Sequence, residues 1–293
     1  MKNNIKITFL GTGHASATNC YNACFTLENQ NDYFLVDSGG GNGILKQLKK
    51  ANISISKIRW IFISHIHMDH LLGVLWIIRV SLPKYYKKIY EQPLYIMGND
   101  EVIKVLRMIC AELMPKDFLP LLDNKIIFIT INEQRKYKIL ENEVYFFDIN
   151  AKKVKQLGFN MYINLKSNTY KFTFIGDEPC YKNTEKFVNN STWLIADAYS
   201  GGKTAKLNNP IKEHHHSTVE YTANISQKLN VKTLFLTHTL DNNLKNRKRL
   251  FTKYAKKIYN GNVIIPKDLE TFCLNDLTTI NNNSTLKIIN KGE

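Results

Sequence analysis

Apolar and polar positions alternate with a period of two in "IKITFLG", where Ile5, Ile7 and Phe9 share one face, and this predicts a first strand over Ile5–Leu10. Similar short apolar runs predict strands over Ala23–Leu27, Tyr33–Val36, Trp60–Ile63, Leu94–Met97, Ile126–Ile131 and Val144–Ile149. Four more follow at Asn160–Asn164, Lys171–Ile175, Trp193–Ala196 and Thr233–Leu236. Helical spacing falls between them. "GNGILKQLKKA" follows a glycine cluster, "HLLGVLWIIRVSL" follows a histidine cluster, and "NDEVIKVLRMICAEL" opens on an Asn-Asp cap. "STVEYTANISQKLN" and "NRKRLFTKYAKKIY" come later. Helices that arrive singly between strands suit two sheets flanked by helices better than one purely parallel sheet. The last stretch, 276–293, is polar and reads as a loosely held tail.

A chain of 293 residues, 44% hydrophobic, has material for a sizeable core, as one large α/β domain or two small ones. No apolar run approaches the roughly 18 residues of a membrane span, and the alternating N-terminus reads as a strand and not as a signal peptide. Cys20, Cys24, Cys110, Cys180 and Cys273 match neither a disulfide framework nor a zinc spacing, so they read as buried thiols in a reducing, cytoplasmic setting. The net charge of +15 fits a polyanionic or phosphate-bearing partner, and fits equally a composition rich in Lys, Asn and Ile. Charge alone decides nothing.

What changes the picture is "WIFISHIHMDHLLG", in which His65, His67, Asp69 and His70 follow a strand and precede an apolar helix. Imidazole nitrogen and carboxylate oxygen suit zinc, iron or manganese. In an extended loop residues 65 and 67 point one way while 69 and 70 turn to a second point, so one loop can feed two ions.

This stretch resembles the metallo-β-lactamase superfamily. "ITFLGTGHASATNCYNACFTL" and "FLVDSGGGNGILKQL" are similar to the opening of its ribonuclease Z-like branch. The resemblance implies a four-layer αββα sandwich over 1–275, here with a helical insertion at about 76–120. It implies that Asp177 of "FTFIGD" bridges two metals and that His238 of "TLFLTH" is the last ligand. It further implies an acid–histidine pair, Asp197 of "WLIADAY" with His216 of "HHHSTVE", and Asp69, His216 and Asp197 as catalytic residues. His214 and His215 read as structural or surface residues.

The sequence departs from the branch in two places. One further histidine belongs before the bridging aspartate, yet no histidine stands between His70 and His214; the position falls on Asn150 or Lys152, with Asn150 favoured because it directly follows the strand. His14 is the candidate replacement ligand, with an unligated loop histidine close to the site as the favoured reading. The second departure is the short segment 151–176, which has no room for the protruding arm of tRNA-processing members. Lys84, Tyr85, Tyr86, Lys87 and Lys88 are open either to nucleic-acid contact or to packing over the sheet.

The expected function is therefore a metal-dependent hydrolase, a phosphodiesterase for a small phosphodiester or an RNA end. One or two divalent ions, zinc foremost, would activate a water as hydroxide, and His216 would protonate the leaving oxygen. The alternatives are a catalytically weakened metal-containing binding module and a hydrolase of carboxylic esters or lactones. The resemblance also implies a homodimer.

Overall fold

The computed structural model describes residues 5–165, 168–202, 204–205 and 215–275, and the backbone of 279–281 and 285–287. His214 lies outside the described residues. The chain gathers into two compact units, one of residues 1–11, 23–131 and 267–293, the other of 12–22 and 132–266.

The first unit opens with β1 (Lys6–Gly11), β2 (Cys24–Asn29) and β3 (Asp32–Val36), which pair antiparallel through Thr8↔Thr26 and Leu27↔Phe34. Then β4 (Ile58–Phe62), β5 (Leu94–Gly98) and β6 (Ile126–Thr130) continue the sheet from β3 in parallel. The switch needs crossovers, and helices supply them: α1 (Gly43–Lys50), α2 (Met68–Tyr86) and α3 (Asp100–Leu113). Asn99 caps α3, its side chain accepting from the Val102 N–H at 2.9 Å, as the Asn-Asp signal predicts.

α2 buries Leu71, Val74, Ile77, Ile78, Leu82 and Tyr85, a helical stripe facing the core. Tyr85 of the Lys-Tyr segment is thus committed to packing, whereas Tyr86 is 61% exposed. The start of α2 lies hard against the turn after β3. The Gly73 N–H donates to the Gly39 carbonyl at 2.8 Å, and a Cβ at Gly73 would stand 1.9 Å from the Ser38 carbonyl oxygen. Because the obstacle is backbone, Gly73→Ala is expected to destabilise the protein by about 1–3 kcal/mol. Chemical denaturation checks this, and an unchanged midpoint would refute the packing account.

The second unit begins with a meander of β7 (Lys136–Ile139), β8 (Asn142–Asp148), β9 (Leu157–Leu165) and β10 (Asn168–Phe174). Then β11 (Trp193–Asp197), β12 (Thr233–Thr237) and β13 (Asn262–Ile264) add in parallel. Around them lie α4 (Glu185–Val188), α5 (Val219–Lys228) and α6 (Leu244–Lys256). Leu194, Leu234 and Leu236 of the sheet share a core with Val219, Ala223, Phe251 and Tyr259. β9 and β10 occupy most of 151–176, the segment expected to be too short for an arm.

The chain then returns to the first unit. There β14 (Glu270–Cys273) pairs with β1 through Ile7↔Phe272, followed by β15 (Thr279–Asn281) and β16 (Thr285–Lys287). The two short last strands lie within the stretch expected to be a loosely held tail. Among the described residues no helix is long and apolar enough to cross a membrane.

Candidate active site

Both units carry their chemistry at the carboxyl ends of parallel strands, where loops are free to present side chains. In the first unit these are the ends of β3 and β4; in the second they are the ends of β10, β11 and β12. Two residues directly after such strands, Asp37 (φ 56°) and His238 (φ 54°), hold left-handed backbone conformations that Asp and His adopt more readily than most residues. Backbone strain of this kind concentrates at functional sites.

In the first unit the loop after β4 brings His65, His67, Asp69 and His70 together. His65 Nε2 lies 2.8 Å from His67 Nδ1, and His70 Nε2 lies 3.1 Å from an Asp69 carboxylate oxygen. His65, Asp69 and His70 are buried. One residue that the sequence reading did not single out organises this cluster: Asp37, only 2% exposed. Its carboxylate accepts the Ser64 N–H at 2.8 Å, the Ser64 hydroxyl at 2.9 Å and His70 Nδ1–H at 2.8 Å. Having donated its proton to Asp37, the Ser64 oxygen accepts from His65 Nδ1–H at 2.9 Å. A single carboxylate thereby fixes the tautomers of both histidines and turns the Nε2 lone pairs of His65 and His70 outward. This is the outer support that metal-binding imidazoles ordinarily have. "VDSG" before the glycine cluster was the available signal.

In the second unit Asp177, His216 and His238 offer ligand atoms within 4.8 Å of one another. Asp177 follows Gly176, whose φ of +69° suits glycine, and a Cβ there would lie 2.7 Å from Gln156 Oε1. Gln156, also missed from sequence, is fully buried and accepts the Asp177 N–H at 3.4 Å. Its Nε2 has no hydrogen-bond partner among the described residues.

Asp197, at the end of β11 and fully buried, lies between two imidazoles: 3.5 Å from His216 Nδ1 and 3.4 Å from His238 Nδ1. It also accepts the Ser217 N–H. His216 Nδ1 is 2.8 Å from the Asp177 carbonyl oxygen, and since a carbonyl only accepts, Nδ1 carries the proton there. Burial alone would depress the His216 pKa. The hydrogen bond and charge of Asp197 outweigh that, with His238 opposing and Asp177 adding, so the value stands above the ordinary 6.5. The arrangement thus favours an imidazolium with Nε2–H as the proton to give.

Three predicted positions lie elsewhere. Asn150, favoured for the vacated ligand place, is exposed in a left-handed turn (φ 58°), its N–H and side-chain amide both bonded to Asp148. Lys152 is exposed, its ammonium 5.0 Å from the centre of the Tyr181 ring and its N–H held by Glu178. His14 is buried, with Nε2 3.9 Å from Asp241 and its ring edge-to-face with Tyr199. His14 is not part of the ligand-distance group of the second unit. His215 is half-buried and outside that group.

Imidazole nitrogens and carboxylate oxygens, buried and with tautomers fixed, are the donors a zinc-type divalent ion requires, so these residues fit a metal.

Comparison with known proteins agrees. A ribonuclease Z of Picrophilus torridus is 28% identical, over 92% of this chain and 96% of its own length. One from Methanococcus aeolicus is 27% identical, over 94% and 99%. Among solved structures, the metallo-β-lactamase fold protein YhfI of Bacillus subtilis superposes with a TM-score of 0.70 at 17% identity, covering 92% of this chain and 99% of that one. The short form of human tRNase Z gives 0.67 at 20% identity, with the same coverage. The fold is therefore of the metallo-β-lactamase type, the α/β class expected from the sequence, and the chain is a metal-dependent hydrolase. The family described as anti-Pycsar protein Apyc1 matches residues 5–257, and to that family this chain belongs.

Proposed function

We propose that the chain is a metal-dependent phosphodiesterase for a small phosphodiester. In this reading the metal-ligand candidates are His65, His67, Asp69 and His70 in the first unit, and Asp177 and His238 in the second. Asp197 and His216 form the acid pair. A divalent ion held there supplies Lewis acidity and lowers the pKa of a water. The residues around it bind, orient and move protons.

One observation carries the reading: His216 hangs by Nδ1–H from the carbonyl of Asp177, itself a ligand candidate, with the buried Asp197 carboxylate behind it. An imidazole so held has one free proton donor, Nε2–H, and stands where a leaving oxygen needs protonation. Zinc suits the donor set best, with manganese and iron sharing it. A small substrate, and not a tRNA, agrees with the filling of 151–176 by β9 and β10. Membership of a family described by an anti-Pycsar protein agrees with it too. A cytoplasmic setting is supported by five scattered cysteines that form no disulfide framework, and a homodimer by the exposed Trp76, Met108 and Leu113 of the first unit.

The test compares bis(p-nitrophenyl) phosphate with p-nitrophenyl acetate and a lactone, before and after chelation. Phosphodiester turnover lost to chelator and restored by zinc is the expected result. Ester or lactone turnover without phosphodiester turnover would replace this reading, and no turnover at all would favour a binding role.

The pH dependence has a definite sign. The His216 value is raised, so the protonated acid dominates below it and is lost as pH rises through it. Turnover is expected to hold on the acid side of that value and to fall above it. His216→Gln is expected to abolish that alkaline limb in a pH–rate profile. A limb that survives in the variant would assign it to another group.

A further inference from the structure

Tyr199 stands two residues beyond Asp197, half-buried, and the proton-transfer scheme above does not use it. Its ring stacks on the His216 imidazole, centroids 5.0 Å apart and planes within 10°. His216 also meets the His238 ring at 5.0 Å and 32°. The imidazole is thus in contact with two rings and hung from the Asp177 carbonyl. The Tyr199 ring is itself held edge-to-face by His14 at 5.3 Å and 81°. Its backbone acts in the same direction: the Tyr199 N–H donates to the Ser217 carbonyl at 3.0 Å, and its carbonyl accepts the Leu240 N–H at 2.9 Å. One residue therefore ties together the loop that carries His216 and the loop that carries His238.

We infer that Tyr199 is a positioning residue for His216, its aromatic face fixing the plane of the imidazole. The inference rests on His216 acting as the acid. In that step a hydroxide oxygen forms its bond to phosphorus, the P–O bond to the leaving group breaks with its electron pair going to the leaving oxygen, and Nε2–H passes its proton to that oxygen. The imidazolium becomes neutral imidazole and regains a proton from solvent. A ring face parallel to the imidazole restrains rotation about its last torsion, which is broad by nature. The hydroxyl plays no part in this account, so phenylalanine is expected to replace tyrosine.

The test measures kcat and KM separately for wild type, Tyr199→Leu, Tyr199→Phe and His216→Ala. Two substrates differ in their need for an acid. A dinucleoside phosphate expels a basic ribose alkoxide, whereas bis(p-nitrophenyl) phosphate expels a stable phenolate. For the dinucleoside phosphate, Tyr199→Leu is expected to lower kcat about tenfold, a fraction of the whole acid contribution, with KM within about twofold. The p-nitrophenyl substrate is expected to respond within about twofold, and Tyr199→Phe to match wild type on both. An equal loss on both substrates, a change in KM alone, or a phenylalanine variant as poor as leucine would overturn the positioning role. If His216→Ala is impaired and Tyr199→Leu is not, this inference fails alone. If His216→Ala turns over the dinucleoside phosphate normally, the acid assignment fails first. Thermal melting monitors folding, and Tyr199→Met, which keeps bulk without a π face, replaces the leucine variant if that does not fold.

Discussion

Asp177→Asn is expected to take phosphodiester hydrolysis below detection and to lower the bound metal, while the metal-free variant melts as the metal-free wild type does. The substitution keeps shape. The tight Gly176 turn and the Gln156 contact to the 177 N–H are backbone features that asparagine leaves in place. What changes is charge. A carboxylate 3.6 Å from His238 Nε2 becomes a neutral amide, whose single carbonyl oxygen is a weak ligand for a divalent ion. Elemental mass spectrometry on protein purified without chelator or histidine tag measures the metal, and turnover measures the function. Full metal content with full activity would remove Asp177 from the ligand set. Asp37→Asn provides a graded companion, because it touches no ligand atom. An amide has one acceptor oxygen and one donor nitrogen, so it cannot accept the Ser64 N–H at one position and both the Ser64 hydroxyl and His70 Nδ1–H at the other, as the carboxylate does. At least one of these three bonds is lost, and the support beneath the histidines weakens. The expected loss of metal affinity is about 10- to 100-fold.

How far the sequence revealed this arrangement depended on whether a feature was local in the chain. The eleven strands predicted from apolar runs are all present, because each buries a face and its pattern is contiguous. β7 escaped prediction for a physical reason: the β7–β8 hairpin turns on Leu140 and Glu141, both with positive φ (49° and 64°). Such a turn ordinarily announces itself by Asn-Gly or Asp-Gly, and here nothing does. The edge strands β13 and β16, and β14 and β15 inside the first sheet, are three or four residues each, too short for any period to register. In the site, His65, His67, Asp69 and His70 were legible because they sit within six residues. Asp37 was not, since its role lies in hydrogen bonds to residues 27 and 33 positions away. Asn150 was placed by counting from a strand end, and counting does not register that the chain enters a left-handed turn there and carries the side chain to the surface.

His216→Ala is expected to lower kcat for a dinucleoside phosphate by about 10²–10⁴-fold, the span ordinarily lost with a general acid. Bis(p-nitrophenyl) phosphate should lose far less. The difference follows from the leaving groups. A ribose alkoxide is a strong base that departs poorly unless a proton reaches it as the P–O bond opens, whereas a nitrophenolate carries its own charge. KM is expected to stay near wild type, because a contact made only in the transition state changes kcat without changing ground-state binding. The companion Asp197→Asn separates two roles of the carboxylate. The amide keeps the packing at the end of β11 but withdraws the charge that holds the His216 value up against burial. Its alkaline limb is therefore expected to move to lower pH, with the same preference for the good leaving group. If His216→Ala lowers both substrates equally, the histidine serves binding or the metal and not proton transfer. The pair would then be structural, and the proton for the leaving oxygen would have to come from another donor, leaving Asp197 to orient His238 alone, from the 3.4 Å at which it already stands.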